Sequence, residues 1–403
     1  LSILIAGAGP SGARLAEKLS NEGISVTIAD RLKAPTQSSF SSAAVPISAI
    51  RDHDIPEISI SEYWNCWRVR DPSDRNYEWS SNNNLGVVLD FSILRNELWH
   101  RAKSSGVELL LGWTVKDACS KDDHVDVELL NPFGERSIRK FQLVVDATGS
   151  ERALLKKTCY RSKSSSGTEI LEGVGIEWII QADLLNSQIW GKRVTFFLGS
   201  RWITHGYGWI FPMSGERLKV GVCRLPPPDF KAVHSMSIDL KNLLKANGLD
   251  SFPVIERHGG VLNSSINRSE PHLVGRIVGV GDAVSTANLL GGEGIRYALA
   301  SAELLAPLLI SAISSSNSKS LEKVCLEYRD SLRHLLGWRW NISGRIARKT
   351  WWGLSGKKAD SRLEKLLDGL GRSASADDLS ALLFDYRFER YGIRLIPYLL
   401  GWR

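Results

Sequence analysis

Gly7, Gly9 and Gly12 stand in a GxGxxG spacing directly after the apolar run ILIAG and at the opening of a helix-compatible segment. The chemistry such a spacing serves is anion binding. The first glycine permits a tight turn, the second lets a pyrophosphate approach the backbone, and the third lets helix and strand pack closely, with the helix N-terminus attracting negative charge. Pro10 and Ser11 complete the turn. Asp30 follows 18 residues beyond Gly12, at the end of the next apolar run and beside Arg31, where a carboxylate accepts hydrogen bonds from a ribose diol. These residues predict a dinucleotide site.

A second glycine-rich segment, IVGVGDAVSTANLLGGEGIRYALASA, occupies residues 277 to 302. Asp282, after Gly281 at a strand end, suits a flavin ribityl or pyrophosphate group. Gly291, Gly292, Glu293, Gly294 and Ile295 bring backbone N–H groups and a helix N-terminus toward a second polar group, which suits the electron-rich edge of a reduced flavin. The turn DATGS at 146 to 150 would bring Ala147 and Gly149 near the adenosine side. Arg95 lies on a helix between these elements and reads equally as a cofactor ligand or a surface arginine.

GYGWIFP, residues 206 to 212, is the third stretch of interest. Period-two alternation places Tyr207, Trp209 and Phe211 on one strand face, closed by Pro212. Large rings there serve either as apolar contact for a long substrate or as filling for a sheet–helix core. His205, beside them, reads as a proton donor or, more simply, as a structural residue.

The elements that must hold these residues follow from hydrophobic periodicity. Residues 1 to 30 read as a βαβ unit, and GVVLDFSILRNELWHRAKSSGVELLLG reads as strand, helix and strand. Between about 160 and 271, short alternating runs bounded by Gly and Pro predict an antiparallel sheet. The fold class is therefore α/β. The expected organisation is a discontinuous nucleotide-binding domain at 1–50, 85–155 and 272–315, a substrate domain at 51–84 and 156–271, and a helical C-terminal region at 316–403.

Composition excludes several alternatives. The chain has 403 residues, 43% hydrophobic and 24% charged, with no uninterrupted apolar run of bilayer-spanning length. The cysteines, at 66, 119, 159, 223 and 325, are odd in number and show no CxxC spacing, so neither zinc nor a disulfide framework is indicated. No metal is expected: the histidines form no HExxH, and a GxSxG elbow is also missing. With no export signal visible, a cytoplasmic setting is the expectation. Residues 329 to 358 hold eight Lys or Arg against one acid, Asp330, which equals the whole chain's net charge of +7. Interleaved with Trp338, Trp340, Trp351 and Trp352, and followed by Trp402, this basic tail suits peripheral contact with a membrane interface. The alternative is a helical domain with buried Trp and a solvated basic face. Nucleic acid is not expected, since no recognition module accompanies the charge.

The N-terminal fingerprint, the DATG turn and the GDAVSTANLLGGEGI segment together resemble the FAD-dependent family with the para-hydroxybenzoate hydroxylase fold. GYGWIFP further resembles the YxWxFP motif of geranylgeranyl reductases, with Tyr207, Trp209, Phe211 and Pro212 at matching positions. The resemblance spans residues 1 to about 310. It implies a Rossmann-like FAD-binding domain, FAD as cofactor, an isoprenoid substrate against the aromatic strand, and reduction of C=C bonds in a geranylgeranyl or polyprenyl group. It identifies no catalytic side chain. Two departures matter: no proline precedes GEG, and DATG lacks the Asp-Gly pair that serves NADPH in the hydroxylases. With no second βαβ fingerprint, NADPH and a ferredoxin-like protein are both open as external electron donor. The rival readings are a flavin-dependent monooxygenase or halogenase, whose WxWxIP motif YGWIFP partly echoes, a redox-neutral carotenoid-type cyclase, and a non-catalytic flavin- or lipid-binding protein.

Overall fold

The computed structural model describes residues 2–156, 170–266, 270–314 and 321–388. A six-stranded sheet carries the glycine-rich turns, in the order Leu273–Val274, Ile277–Gly279, Leu143–Asp146, Ser2–Ala6, Ser25–Asp30, Glu108–Leu111. Its strands run parallel except at the Leu273–Val274 edge. Ile3, Leu4 and Ile5 are fully buried, as a central parallel strand covered on both faces requires. Helices Pro10–Asn21, Phe91–Ser104 and Ile295–Ser314 pack into this core, and the antiparallel trio Thr114–Ser120, Val125–Leu130 and Arg136–Phe141 adds Ala118, Val125, Val127 and Leu129 to it. Asp90 starts Phe91–Ser104 by accepting the N–H groups of Ser92 and Ile93, the usual role of an N-cap carboxylate.

Within Ile295–Ser314, residues Ile295–Ile313 are long and apolar enough to cross a bilayer, with mean hydropathy 1.4, but half of that stretch is buried. Leu299, Ala302, Leu305, Ala306 and Leu309 point into the core of the parallel sheet.

The second large sheet has seven strands, in the order Val254–Ser265, Ile170–Gln181, Arg217–Arg224, Gly206–Met213, Arg193–Leu198, Cys66–Arg70, Asn76–Ser80. It is antiparallel, as the alternating runs predict, except where Arg193–Leu198 pairs in parallel with Cys66–Arg70. That crossover brings the early Trp-rich stretch into the sheet. A further small sheet pairs Gly86–Leu89 with Ala44–Pro46 and Ile60–Trp64, so pairing runs across the 84/85 boundary drawn from sequence.

The C-terminal helices are Leu321–Gly353, Lys357–Ser373 and Ala376–Phe384 among the described residues. The first breaks at Gly337, where φ is 65° and ψ −176°, a backbone geometry reserved in practice for glycine. Ala347, Trp351, Leu354, Leu363, Leu367 and Leu379 share a core with the Tyr207, Trp209 and Phe211 face of the seven-stranded sheet.

Candidate active site

The first glycine turn is interlocked. Gly7 has φ +107°, and a Cβ there would lie 2.3 Å from the Ala147 carbonyl oxygen; one on Gly12 would lie 2.1 Å from the Gly7 carbonyl oxygen. Gly7, Gly12 and Ala147 therefore form one close-packed joint. Gly9 differs: a Cβ there meets nothing within 4 Å, so the space in front of it is free for a ligand. Helix Pro10–Asn21 begins at this point, with its first N–H groups directed there. The Asp30 carboxylate accepts the Ala8 N–H at 2.6 Å and the Leu32 N–H at 2.8 Å. Arg31 is exposed and pairs with Glu151 at 2.8 Å. Gly149, with φ +69°, also faces open space. Asp146 is consumed structurally, accepting the N–H groups of Thr148, Leu154 and Leu155.

Arg95 is not a surface residue. It is buried, lies over the Phe91 ring, and donates to the carbonyls of Pro35, Gln37 and Ser38. Its role here is to hold the loop that follows Asp30.

The second glycine segment docks onto the first. Gly281 has φ +65°, and a Cβ there would lie 2.4 Å from Ser11 Oγ. Asp282 accepts the Thr286 hydroxyl at 3.0 Å; burial pushes its carboxyl up to about 6, and the Thr286 bond opposes that rise. Gly291 faces open space, whereas Gly292, with φ +70°, lies under the Tyr207 hydroxyl, 2.7 Å from where its Cβ would be. A Cβ on Gly294 would sit in ordinary contact with Asp282, 3.8 Å from Oδ2. The Glu293 side chain turns away from this group: it pairs with Arg296 at 2.7 Å and accepts the Tyr386 hydroxyl at 3.2 Å. It anchors the C-terminal region, and only its backbone belongs to the glycine loop. Trp351 reinforces that anchor by donating its indole N–H to the Leu289 carbonyl at 2.9 Å.

Two cavities meet at the aromatic strand. The smaller, about 170 Å³, lies between Pro10, Asp282, Gly294, Ile295 and Ala298 on the dinucleotide side and Gly173, Gly175, Cys223 and Leu262 on the sheet. The larger, about 240 Å³, is walled by Trp67, Trp79, Phe196, Tyr207, Trp209 and Phe211 beneath and by Trp351, Leu363, Leu367 and Leu379 above. Both are bordered by Ser41, Ser42, Tyr207, Trp209, Gly292, Gly294, Ile295 and Trp351. Pro212 falls on the opposite strand face and borders neither.

The shared wall is uncharged. Tyr207 is held well above its ordinary pKa by burial, and Cys223, its hydrogen-bond partner, is pushed up to about 12 for the same reason. His205 has φ +59° and points its Nδ1 at the carbonyl oxygens of Trp351 and Trp352, 3.1 Å from each. It ties the end of the long helix to the strand and does not border either cavity.

Trp67, Trp79, Phe196 and Trp351 are cavity residues that the motifs alone do not single out. The residues suited to FAD fit it in type and arrangement: open space at Gly9, a carboxylate at Asp30, a second at Asp282, and a glycine loop ending on a helix start. Among the described residues, no cluster of His, Cys, Asp or Glu could hold a metal ion.

No protein-family profile matches the chain. Digeranylgeranylglycerophospholipid reductase of Methanosarcina acetivorans is 24% identical over 392 residues, covering 95% of this chain and 92% of the relative. Geranylgeranyl diphosphate reductase of Rhodobacter capsulatus is 24% identical over 321 residues, covering 79% of this chain and 77% of the relative. The chain resembles the geranylgeranyl reductases. A geranylgeranyl bacteriochlorophyll reductase-like protein of Thermoplasma acidophilum superposes with a TM-score of 0.80 at 18% identity, over 97% of this chain and 98% of that one. The likeness to this reductase-like structure covers the C-terminal helices as well as the two large sheets, so the whole architecture, not the glycine turns alone, is that of this fold.

Proposed function

We propose that the protein is an FAD-dependent reductase of C=C bonds in a geranylgeranyl or related polyprenyl group. The observation that carries this reading is the meeting of the two cavities: the space bounded by Gly292, Gly294 and Asp282 shares the wall of Tyr207 and Trp209 with a pocket lined almost wholly by aromatic and aliphatic side chains. FAD, when bound, supplies hydride chemistry that no side chain can. The protein's own residues bind, orient and dry the reacting group. Gly9, Asp30 and Asp282 would hold polar parts of the cofactor, and the backbone of Gly291 to Ile295 would help to hold its ring system.

Tyr207, Trp209 and Phe211 position the alkene at little conformational cost. Because Tyr207 and Cys223 stay protonated through the physiological range, the wall brings no standing negative charge to an apolar substrate. The resemblance to named reductases over nearly the whole chain favours this reading above the halogenase, monooxygenase, cyclase and non-catalytic alternatives.

Two finer assignments belong to the same proposal. The electron donor is external, NADPH or a ferredoxin-like protein, since the described sheets contain no second dinucleotide turn. The protein acts at the cytoplasmic side of a membrane, where its substrate would reside. Trp338, 59% exposed, and the basic side chains around it make the contact.

Anaerobic incubation of the chemically reduced, FAD-loaded protein with geranylgeranyl diphosphate and geranylgeranylated lipids tests the function. A gain of about 2 mass units per reduced double bond is expected. Addition of oxygen or halogen in air, with no anaerobic change, would assign the protein to the rival chemistry instead.

A further inference from the structure

The floor of the larger cavity is an aromatic row that runs obliquely across the sheet. Tyr207 contacts Phe196 with ring centroids 5.7 Å apart, and Phe196 stacks on Trp67 at 6.0 Å. Trp67 stands directly opposite Trp79 in the last strand pair. The row therefore begins at the strand bordering both cavities and ends on the edge strand Asn76–Ser80, three strand spacings away and four residues further along the strand direction, about 14 Å across the strands and about 13 Å along them.

At that end stand two buried tryptophans. Trp79 is 5% exposed, and its indole N–H donates to the Leu370 carbonyl at 3.3 Å; Trp67 donates to Ser380 Oγ at 2.9 Å. Both rings are thus fixed between the sheet and the C-terminal helices. The helix Lys357–Ser373 is itself tied down beside Trp79, because Tyr77 donates to Asp368 at 2.6 Å and the Ser200 N–H donates to Asp360 at 2.8 Å. A large side chain held at both faces has little freedom to move aside for a longer ligand.

We propose that Trp79 is the end stop of the apolar cavity and sets how long a linear isoprenoid chain can extend beyond the cofactor end. This inference rests on the reading of the cavity as an isoprenoid site, and it adds the residue that determines chain-length preference. Leu367, on the facing helix, forms the opposite wall of the same end.

The test is equilibrium binding of farnesol, geranylgeraniol and geranylfarnesol to the FAD-loaded full chain, measured calorimetrically, for the native protein and for Trp79→Ala. Leu367→Ala serves as a second variant that opens the same end from the other side. The ratio of affinities for the longest over the shortest alcohol should rise about tenfold in either variant. An unchanged ratio in a variant whose thermal unfolding remains cooperative would overturn the proposal, as would failure of all three alcohols to bind the native protein. A shifted ratio without any reduction of the alcohols or their diphosphates would uphold the end stop while removing the reductase function.

Discussion

The indole N–H of Trp209 donates to the Glu177 carboxylate at 3.1 Å, reaching across the intervening strand over Gly221. A Cβ on Gly221 would lie 2.1 Å from the Trp209 ring, so the glycine is what lets the indole lie flat on the sheet. Burial pushes the Glu177 carboxyl up to about 7, opposed by the charge of Lys219 and by the Trp209 bond. Lys219 in turn is buried and donates to the carbonyls of Ser41 and Leu89 at 2.8 and 3.0 Å, which fixes the loop bordering both cavities.

The pH dependence follows in sign from that shift. The folded protein binds the Glu177 proton more tightly than the unfolded chain, whose value is about 4.5. The stability Glu177 contributes is fully present below that value and is lost as pH rises through about 7. Relative to Glu177→Gln, the native protein should lose roughly 2–3 kcal/mol between about pH 4 and about pH 8. Urea unfolding of both proteins across that range measures it; a constant difference would contradict the assignment.

Gly9 and Gly12 should separate cofactor binding from folding. Gly9 has φ −67° and ψ −179°, ordinary for any residue, and open space where a Cβ would stand. Gly9→Ala should therefore keep the apo-protein's melting temperature while weakening FAD binding by about tenfold or more, since the methyl occupies the approach of the pyrophosphate. Gly12→Ala should lower stability itself by about 1–3 kcal/mol through overpacking against Gly7. Calorimetry of the apo forms and FAD titration would show whether the two effects divide in this way.

Gly292 and Tyr207 should be energetically coupled. Gly292→Ala introduces a Cβ at φ +70° that also meets the Tyr207 hydroxyl. The backbone part of the cost, about 1–2 kcal/mol, stays whatever residue stands at 207. The steric part should vanish in Gly292→Ala/Tyr207→Phe, giving a double-mutant coupling of about 1 kcal/mol in FAD affinity. Simple additivity would mean that the hydroxyl does not press on the loop.

Trp338 and Trp340, two residues apart, should behave oppositely. Trp340 is 2% exposed and packs edge-on against Tyr297 at 4.9 Å, whereas Trp338 is 59% exposed. Trp340→Ala should cost about 3–5 kcal/mol of stability. Trp338→Ala should leave stability within about 0.5 kcal/mol and reduce co-sedimentation with anionic phospholipid vesicles. Unchanged sedimentation would remove the membrane proposal at this residue.

The contrast between those two tryptophans shows where reading from sequence stops. An alternation of Trp and Arg is compatible with a membrane face or with buried rings and a solvated basic side. Here the helix sends Trp340 and Trp351 inward and Trp338 outward, and Trp402 lies outside the described residues. Arg95 was likewise ambiguous from its position on a helix, and becomes a loop anchor only because residues 35 to 38 fold back over it. Glu293 stands inside a glycine motif, yet its carboxylate is claimed by Arg296 and Tyr386, the latter 93 residues away along the chain.

What the sequence determined by itself was local: the strand–turn–helix at Gly7 to Gly12, the carboxylate at Asp30, the glycine loop at 291 to 294, and the shared face of Tyr207, Trp209 and Phe211. Each depends on backbone geometry within a few residues, where a missing Cβ or a two-residue period leaves little choice. Tertiary structure alone decided the cavity. The parallel pairing of Arg193–Leu198 with Cys66–Arg70 brought Trp67 and Trp79 onto the same sheet face as Tyr207, and the C-terminal helices packed over that face. Pairing between distant strands and the docking of a helix face are set by the summed packing of many residues, and no short spacing records that sum.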